Sequence, residues 1–240
     1  MRSQLADTTW TQIGLRPLVL VPVGSIEQHG PHLPLDTDAA IAAAVADAVA
    51  VRLPGEVLVA PPVSYGSSGE HQEFAGTSSI GSEALQHFVI ELVRSMSTWA
   101  GRIVFVNAHG GNVSALAKAT FQMIAEGHDV AWTPCATEGF DLHAGYTETS
   151  LMLYIRPTSV RLERAERGET RSLGEILPLM MAGGVAAVSP NGVLGDPTSA
   201  SSERGSQLLE RMVDQIVHQI LRGAADARGM LVVHPLATAK

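Results

Sequence analysis

Between Glu27 and Asp38 the chain reads EQHGPHLPLDTD, and five of its side chains can hold a metal or move a proton: Glu27, His29, His32, Asp36 and Asp38. One histidine in a polar loop is an ordinary solvated group, but five such groups in twelve residues directly after an apolar run suggest a site. In extended chain, residues two apart face the same way, so Glu27 and His29 are expected to project to one side. Groups of the same kinds recur as Glu70, His71 and Glu73 in GEHQEF, His109 in NAHGGN, and Asp141, His143 and Glu148 in DLHAGYTETS. Glu27, His29, Asp38, His109 and Glu148 together supply three carboxylates and two imidazoles with no thiolate. That mixture suits Zn, Mn or Fe(II). An aspartate able to bridge allows two ions, which in two-metal sites lie about 3.5–4 Å apart and activate water near neutral pH. His143 is a candidate to carry a proton to a leaving nitrogen. Glu148 is a candidate ligand and catalytic group, or else a buried acid bonded to backbone amides at a helix start. His71 is a second catalytic candidate, or else a loop-anchoring hydrogen bonder. The residues alone describe a metal-assisted hydrolase of a small polar substrate.

The elements that must position these groups can be read from periodicity. Leu18 to Val23 has the length and apolarity of a buried strand, and Pro31 and Pro34 keep the following segment from becoming a helix. Thr37 or Asp36 can cap a helix running to about Leu53, with Asp38 in its first turn. Val57 to Val63 reads as a second strand, followed by a Gly/Ser loop carrying His71. Ser82 opens an amphipathic helix with an apolar face of Leu85, Phe88, Val89, Leu92, Val93, Met96 and Trp99. Arg102 to Val106 is a third strand leading straight to His109, at the strand end where open α/β sheets place their ligands. Asn112 is expected to cap a helix to about Glu126, and Asp129 to Thr133 to form a fourth strand. An apolar helix that Pro157 stops follows Glu148. Arg161 to Arg171 reads as a solvated segment, residues 183–202 as a long loop shaping a pocket or subunit contact, and Glu203 to Leu221 as a last helix before a loose tail. Strand, polar cluster, helix thus recurs. The expected class is α/β: a three-layer α/β/α arrangement of a mainly parallel sheet with helices on both faces, in a single domain over 1–240.

Composition narrows the function. At 240 residues and 45% apolar the chain can bury a large core and is not disordered. A net charge of −8 with no Lys/Arg patch argues against nucleic acid. No apolar run reaches the roughly 18 residues of a membrane span, and MRSQLADTTW has no apolar signal core, so a cytoplasmic location is expected. Cys135 is the only cysteine, which excludes an internal disulfide and a thiolate cage. With Pro134 and Ala136 beside it, it reads as a small core residue.

GSIEQHGPHLPLDTD, NAHGGN and HAGYTETS together resemble the creatininase family of metal-dependent amidohydrolases, over nearly the whole chain. The resemblance implies the creatininase fold and two divalent metals (Zn, Fe or Mn) per subunit. It also implies Glu27, His29, Asp38 and His109 as ligands, His143 as the proton-handling group, and a homo-oligomer, a hexamer. Creatininase has a glutamate ligand two residues past the histidine matched by His109, where this chain has Gly111. That leaves Glu148 as the candidate substitute and weakens creatinine as substrate. Within the family, GEHQEFAGT and GGVAAVSPNGVLGDPTSA look like the mycofactocin-system branch. Its members are peptidases that cleave a modified precursor peptide near its C-terminus and release the cyclised core of a redox cofactor. Creatinine or another small cyclic amide or formamide is the alternative substrate. A metal-stabilised scaffold is the non-enzyme alternative, although structural zinc sites favour cysteine.

Overall fold

Four runs of apolar residues form strands that are covered on both faces, and their alternation sorts the core into two halves. In the computed structural model, which describes residues 2–136 and 141–233, the strands are β1 (Arg2–Gln4), β2 (Leu18–Val23), β3 (Val57–Val59), β4 (Arg102–Asn107) and β5 (Val130–Pro134). They make one all-parallel sheet in the order β1-β3-β2-β4-β5. Leu20, Val57, Val59, Val104, Val106 and Ala131 face one way, against helices α1 (Thr37–Arg52), α4 (Tyr146–Ile155) and α6 (Ser202–Arg222). Val19, Val21, Leu58, Ile103, Phe105 and Trp132 face the other, against α2 (Ser82–Met96) and α3 (Val113–Ala125). The result is the three-layer α/β/α architecture, with parallel strands buried on both sides. No helix among the described residues is long and apolar enough to cross a membrane.

The topology explains where a site can form. The chain leaves β2 for α1 on one face of the sheet, and leaves the adjacent β4 for α3 on the other. The loops after these neighbouring strands therefore diverge and open a crevice at their carboxyl ends, the switch point at which such sheets bind ligands.

Several elements differ from expectation. The second strand stops at Val59, because Pro61 and Pro62 have no N–H to donate. Val63 regains only an isolated bridge to Val23. On α2 the buried stripe is Leu85, Val89, Ile90, Val93 and Met96, whereas Phe88 lies on the flank and is half exposed. Neither Asp36 nor Asn112 caps its helix through its side chain. Asn112 Nδ2 instead donates to Gly24 O, and its Oδ1 accepts from Ser67 N, tying three loops together. Helix α5 (Leu173–Gly183), opened by a Ser172–Glu175 capping box, was not anticipated, nor was β1. Beyond α6 the chain is not loose as far as Val233. Strands β6 (Ala224–Ala225) and β7 (Leu231–Val232) pair, and Trp132 Nε1 donates to Arg228 O. The rest of the expected tail (234–240) and the segment 137–140 lie outside the described residues.

Candidate metal centre

The crevice is filled by the polar residues of four loops. Glu27 is fully buried, and among the described residues neither of its carboxylate oxygens has a hydrogen-bond partner of good geometry. Around it stand His71 Nε2 at 3.3 Å and His143 Nδ1 at 3.6 Å from Oε1, and His109 Nε2 at 3.2 Å from Oε2. Asp38, in the first turn of α1, splits its oxygens between two imidazoles. Oδ1 lies 3.0 Å from His29 Nε2, and Oδ2 lies 3.3 Å from His109 Nδ1 while accepting from Ser25 Oγ at 2.5 Å. Glu148 Oε2 accepts from Ala144 N at 2.6 Å and lies 3.8 Å from His29 Nε2, so it is both a backbone-bonded acid and a member of the cluster. Ala144 adopts φ 52°, a left-handed conformation held where it presents that N–H.

Three imidazoles are oriented in the same manner. A carbonyl oxygen only accepts, so the ring nitrogen beside one carries a proton. His29 Nδ1 donates to Glu27 O at 3.1 Å, His109 Nε2 to Ser67 O at 2.9 Å, and His143 Nε2 to Gln28 O at 2.8 Å. The other nitrogen of each ring faces the carboxylates, which is how protein surroundings orient metal-binding histidines.

Charge is distributed unevenly. Burial raises the Glu27 carboxyl to about 7, with Asp38 adding to the rise and His109, His29 and the Ser68 hydroxyl opposing it. Burial likewise raises Glu148 to about 8. Burial alone would lower His29 and His109, but the acids around each overcome it: chiefly Asp38 for His29, and Glu27 with Asp38 for His109. Both imidazoles are held up at about 10. Asp38 is correspondingly pulled well below the usual carboxylate range by these two rings, against its own burial. His71 is pushed down to about 3 and His143 well below its ordinary value, by burial and then by the neighbouring imidazoles.

Buried carboxylates and aimed nitrogens fit a divalent cation. Three trios each bring one ligand atom per residue within 4.8 Å of one another: Glu27–Asp38–His109, His29–His143–Glu148 and Glu27–His71–His143. Neither oxygen of Glu27 has a hydrogen bond of good geometry among the described residues, as expected of a ligand, because a buried charge is otherwise paired or metal-bound. Oxygen and nitrogen donors without sulfur suit Zn or Mn.

The structure thus brings Glu27, His29, Asp38, His71, His109, His143 and Glu148 together. It does not bring in His32 or Asp36. His32 Nε2 pairs with Thr149 Oγ1, and Asp36 with Arg156. Glu73 is exposed, and Asp141 accepts from Thr147 N at the start of α4. Cys135 lines the adjoining cleft of about 200 Å³ with Leu142 and Val113, and burial pushes its thiol up, which makes it inert. One group escapes sequence reasoning: Gln28, which contacts His71 and His143. Glu70, noted in sequence beside His71, lies 3.6 Å from His109 Nε2. Strand-like alternation would turn Gln28 away from Glu27 and His29. The segment is a turn, however, closed by Glu27 N donating to Leu35 O and by Gly30 at φ 64°.

Comparison with known proteins agrees with this geometry. The family model described as creatininase, creatinine amidohydrolase, matches residues 6–220. The chain is 53% identical over 236 residues to the mycofactocin precursor peptide peptidase of Mycobacterium ulcerans, covering 95% of this chain and 92% of that one. It is 27% identical to the creatinine amidohydrolase of Pseudomonas putida over 90% and 95% of the two chains. A solved structure described as "Creatininase Mn" superposes with a TM-score of 0.76 at 28% identity, over 90% of this chain and 96% of that one. The match spans strands β2 to β5 and every loop of the cluster, and the chain belongs to the creatininase family of amidohydrolases.

Proposed function

We propose that this chain is a two-metal peptidase acting on the modified mycofactocin precursor peptide. It would cleave an amide bond near the C-terminus to release the cyclised core. The observation that carries the hydrolytic reading is Glu27: a fully buried carboxylate with no hydrogen bond of good geometry, surrounded by imidazole nitrogens. Glu27, Asp38 and His109 would hold one ion, and His29, Asp38 and Glu148 the other. Asp38 would contribute to both, because its two oxygens already face different imidazoles. When bound, such a pair supplies Lewis acidity to the scissile carbonyl and to the attacking water.

His143 does the proton work. Its Nε2–H is committed to Gln28 O, so Nδ1 is the nitrogen that accepts a proton from water and returns it to the leaving amine. Burial and the neighbouring imidazoles keep this ring neutral, so Nδ1 offers a lone pair. The cleft beside Asp38, His109 and Glu148 has apolar walls, Leu142 and Val113, suited to the apolar part of a peptide. The precursor-peptide substrate rests on the 53% identity to the mycobacterial peptidase. Creatinine is disfavoured by the glycine at 111. Subunit association is supported by apolar side chains left exposed on α5, Leu173, Leu177, Leu179 and Met181, and a hexamer is the assembly proposed.

The test strips the protein with a chelator, restores Zn or Mn, and measures bound metal alongside cleavage of the modified precursor peptide and of creatinine. Metal-dependent peptide cleavage with creatinine untouched supports the reading. Creatinine turnover without peptide cleavage replaces the substrate, and full peptide activity without metal removes the mechanism.

A further inference from the structure

Gln28 stands between His71 and His143 and contacts both. Its Oε1 accepts from Gly30 N at 2.8 Å, and its Nε2 donates to Gly192 O at 3.0 Å. A backbone donor at one end and a backbone acceptor at the other fix which end of the amide is nitrogen. Gly192, at φ 79°, closes the cradle, since a Cβ there would lie 1.9 Å from Gln28 Oε1. Gln28 is itself almost completely buried.

The two amide hydrogens can then be assigned. One goes to Gly192 O. His143 Nε2, 3.0 Å from Gln28 Nε2, already carries the proton it donates to Gln28 O and cannot accept another. The second hydrogen therefore goes to His71 Nδ1, at 2.8 Å. An imidazole that accepts at Nδ1 carries its proton on Nε2, and His71 Nε2 is the nitrogen facing Glu27 Oε1 at 3.3 Å. The other three rings are oriented by backbone carbonyls, His29 and His143 at the nitrogen turned away from the acids and His109 at Nε2, which also lies 3.2 Å from Glu27 Oε2. His71 alone is oriented by an amide donor, which puts its N–H on the nitrogen facing Glu27.

We propose that Gln28 is a positioning residue that places the His71 N–H on the nitrogen facing Glu27 and so keeps His71 out of the metal ligand set. Its backbone carbonyl meanwhile leaves His143 Nδ1 free to handle protons. The role rests on the two-metal reading of the cluster. In consequence Glu27 faces an N–H and not a lone pair at His71, and the Glu27–His71–His143 trio is not a third ion site.

The experiment is long-range ¹H–¹⁵N correlation spectroscopy of the Zn-loaded protein with ¹⁵N-labelled histidine, recorded without substrate. The His71 signals are assigned from His71→Asn. The wild-type protein is expected to show His71 protonated at Nε2 and unprotonated, hydrogen-bonded and unligated at Nδ1. In Gln28→Glu, whose carboxylate only accepts, the proton should move to Nδ1. Turnover should fall about 10–100-fold, the usual effect of losing a group that orients a metal site, with KM little changed. A wild-type His71 protonated at Nδ1, or bound to zinc, overturns the proposal, as does an unchanged tautomer in Gln28→Glu. If Gln28→Glu does not fold, the wild-type spectrum still decides. The tautomer readout uses no substrate, so a wrong peptide assignment, which would void only the turnover measurement, leaves it untouched.

Discussion

Two pairs of buried histidines border the same acid, Glu27, and are held in opposite states. His29 and His109 rise to about 10, while His71 falls to about 3 and His143 falls well below its ordinary value. Burial lowers all four, so burial does not separate them. Asp38 does, because its oxygens lie against His29 and His109, while the other two rings face imidazoles: His143 is 4.3 Å, centroid to centroid, from both His29 and His71. Once the Asp38 pair carries charge, the second pair cannot. Positive charge therefore lies beside Asp38, where a bound metal would displace protons. The pair beside Gln28 is reserved for neutral imidazole chemistry.

The sharpest way to break that division is to delete one ring from each side. His29→Ala or His109→Ala should reduce bound metal and bring turnover near background while the far-UV circular dichroism stays native. Full metal occupancy with wild-type turnover in His109→Ala would remove it from the ligand set. His143→Ala should retain both metals yet lose about 10²–10⁴-fold in kcat, the usual worth of general acid–base catalysis. Loss of metal there would make His143 a ligand. His71→Ala should lose less than His143→Ala, and the reverse order would exchange the roles given to the two.

The Asp38 side of the site was far more legible in sequence than the Gln28 side. Glu27, His29 and Asp38 follow a buried strand and enter a helix, and His109 ends the neighbouring strand, so periodicity alone brings them to one crevice. The same reasoning overreached at His32 and Asp36. The turn at Gly30, φ 64°, reverses the chain, and His32 ends against Thr149. Gln28 was missed because a neutral amide gives no chemical signal. Its partners at Gly192 and His143 lie 164 and 115 residues away. β1 is three residues long and pairs with a strand more than fifty positions on, beyond the reach of local pattern. The fold class was readable because both faces of the central strands are apolar.

A gentler probe leaves every side chain in place and changes pH. In the metal-free protein Glu27 and Glu148 rise from 4.5 to about 7 and about 8, and His29 and His109 from 6.5 to about 10. Each raised group contributes stability that is complete below its unfolded value and is lost as pH climbs through its folded one. His71, lowered to about 3, works the other way: its contribution is complete above 6.5 and is lost only on acidification. Between pH 6.5 and 10 the raised groups act unopposed. Each extra proton held by the native state costs about 1.4 kcal/mol per pH unit there, or roughly 2–4 °C in Tm per kcal/mol. Thermal melts in chelator should fall across this range, and added Zn should flatten the curve. A level metal-free profile would mean that the Asp38 pair is not held charged.

The smallest effect is expected at the rim, where Gly111 and Glu70 meet. A Cβ on Gly111 would lie 2.2 Å from Ser67 O and 2.6 Å from Glu70 Oε1, so the backbone itself closes this position to a side chain. Gly111→Ala should therefore lower Tm by a few degrees, in keeping with about 1–3 kcal/mol for overpacking. Gly111→Glu should not add a ligand. Glu70 occupies the same space from the opposite loop, 3.6 Å from His109 Nε2, but its side chain is 32% exposed. Solvent screens a charge so placed, and exposed pairs are worth about 0–1 kcal/mol. Glu70→Gln should keep both metals and cost less than about tenfold in kcat/KM, since 1.4 kcal/mol is a factor of ten. Glu148→Gln, buried and beside His29, should lose metal. If metal analysis finds the loss in Glu70→Gln and not in Glu148→Gln, the acid that stands in for the glycine at 111 comes from the rim loop, and the ligand set must be redrawn around it.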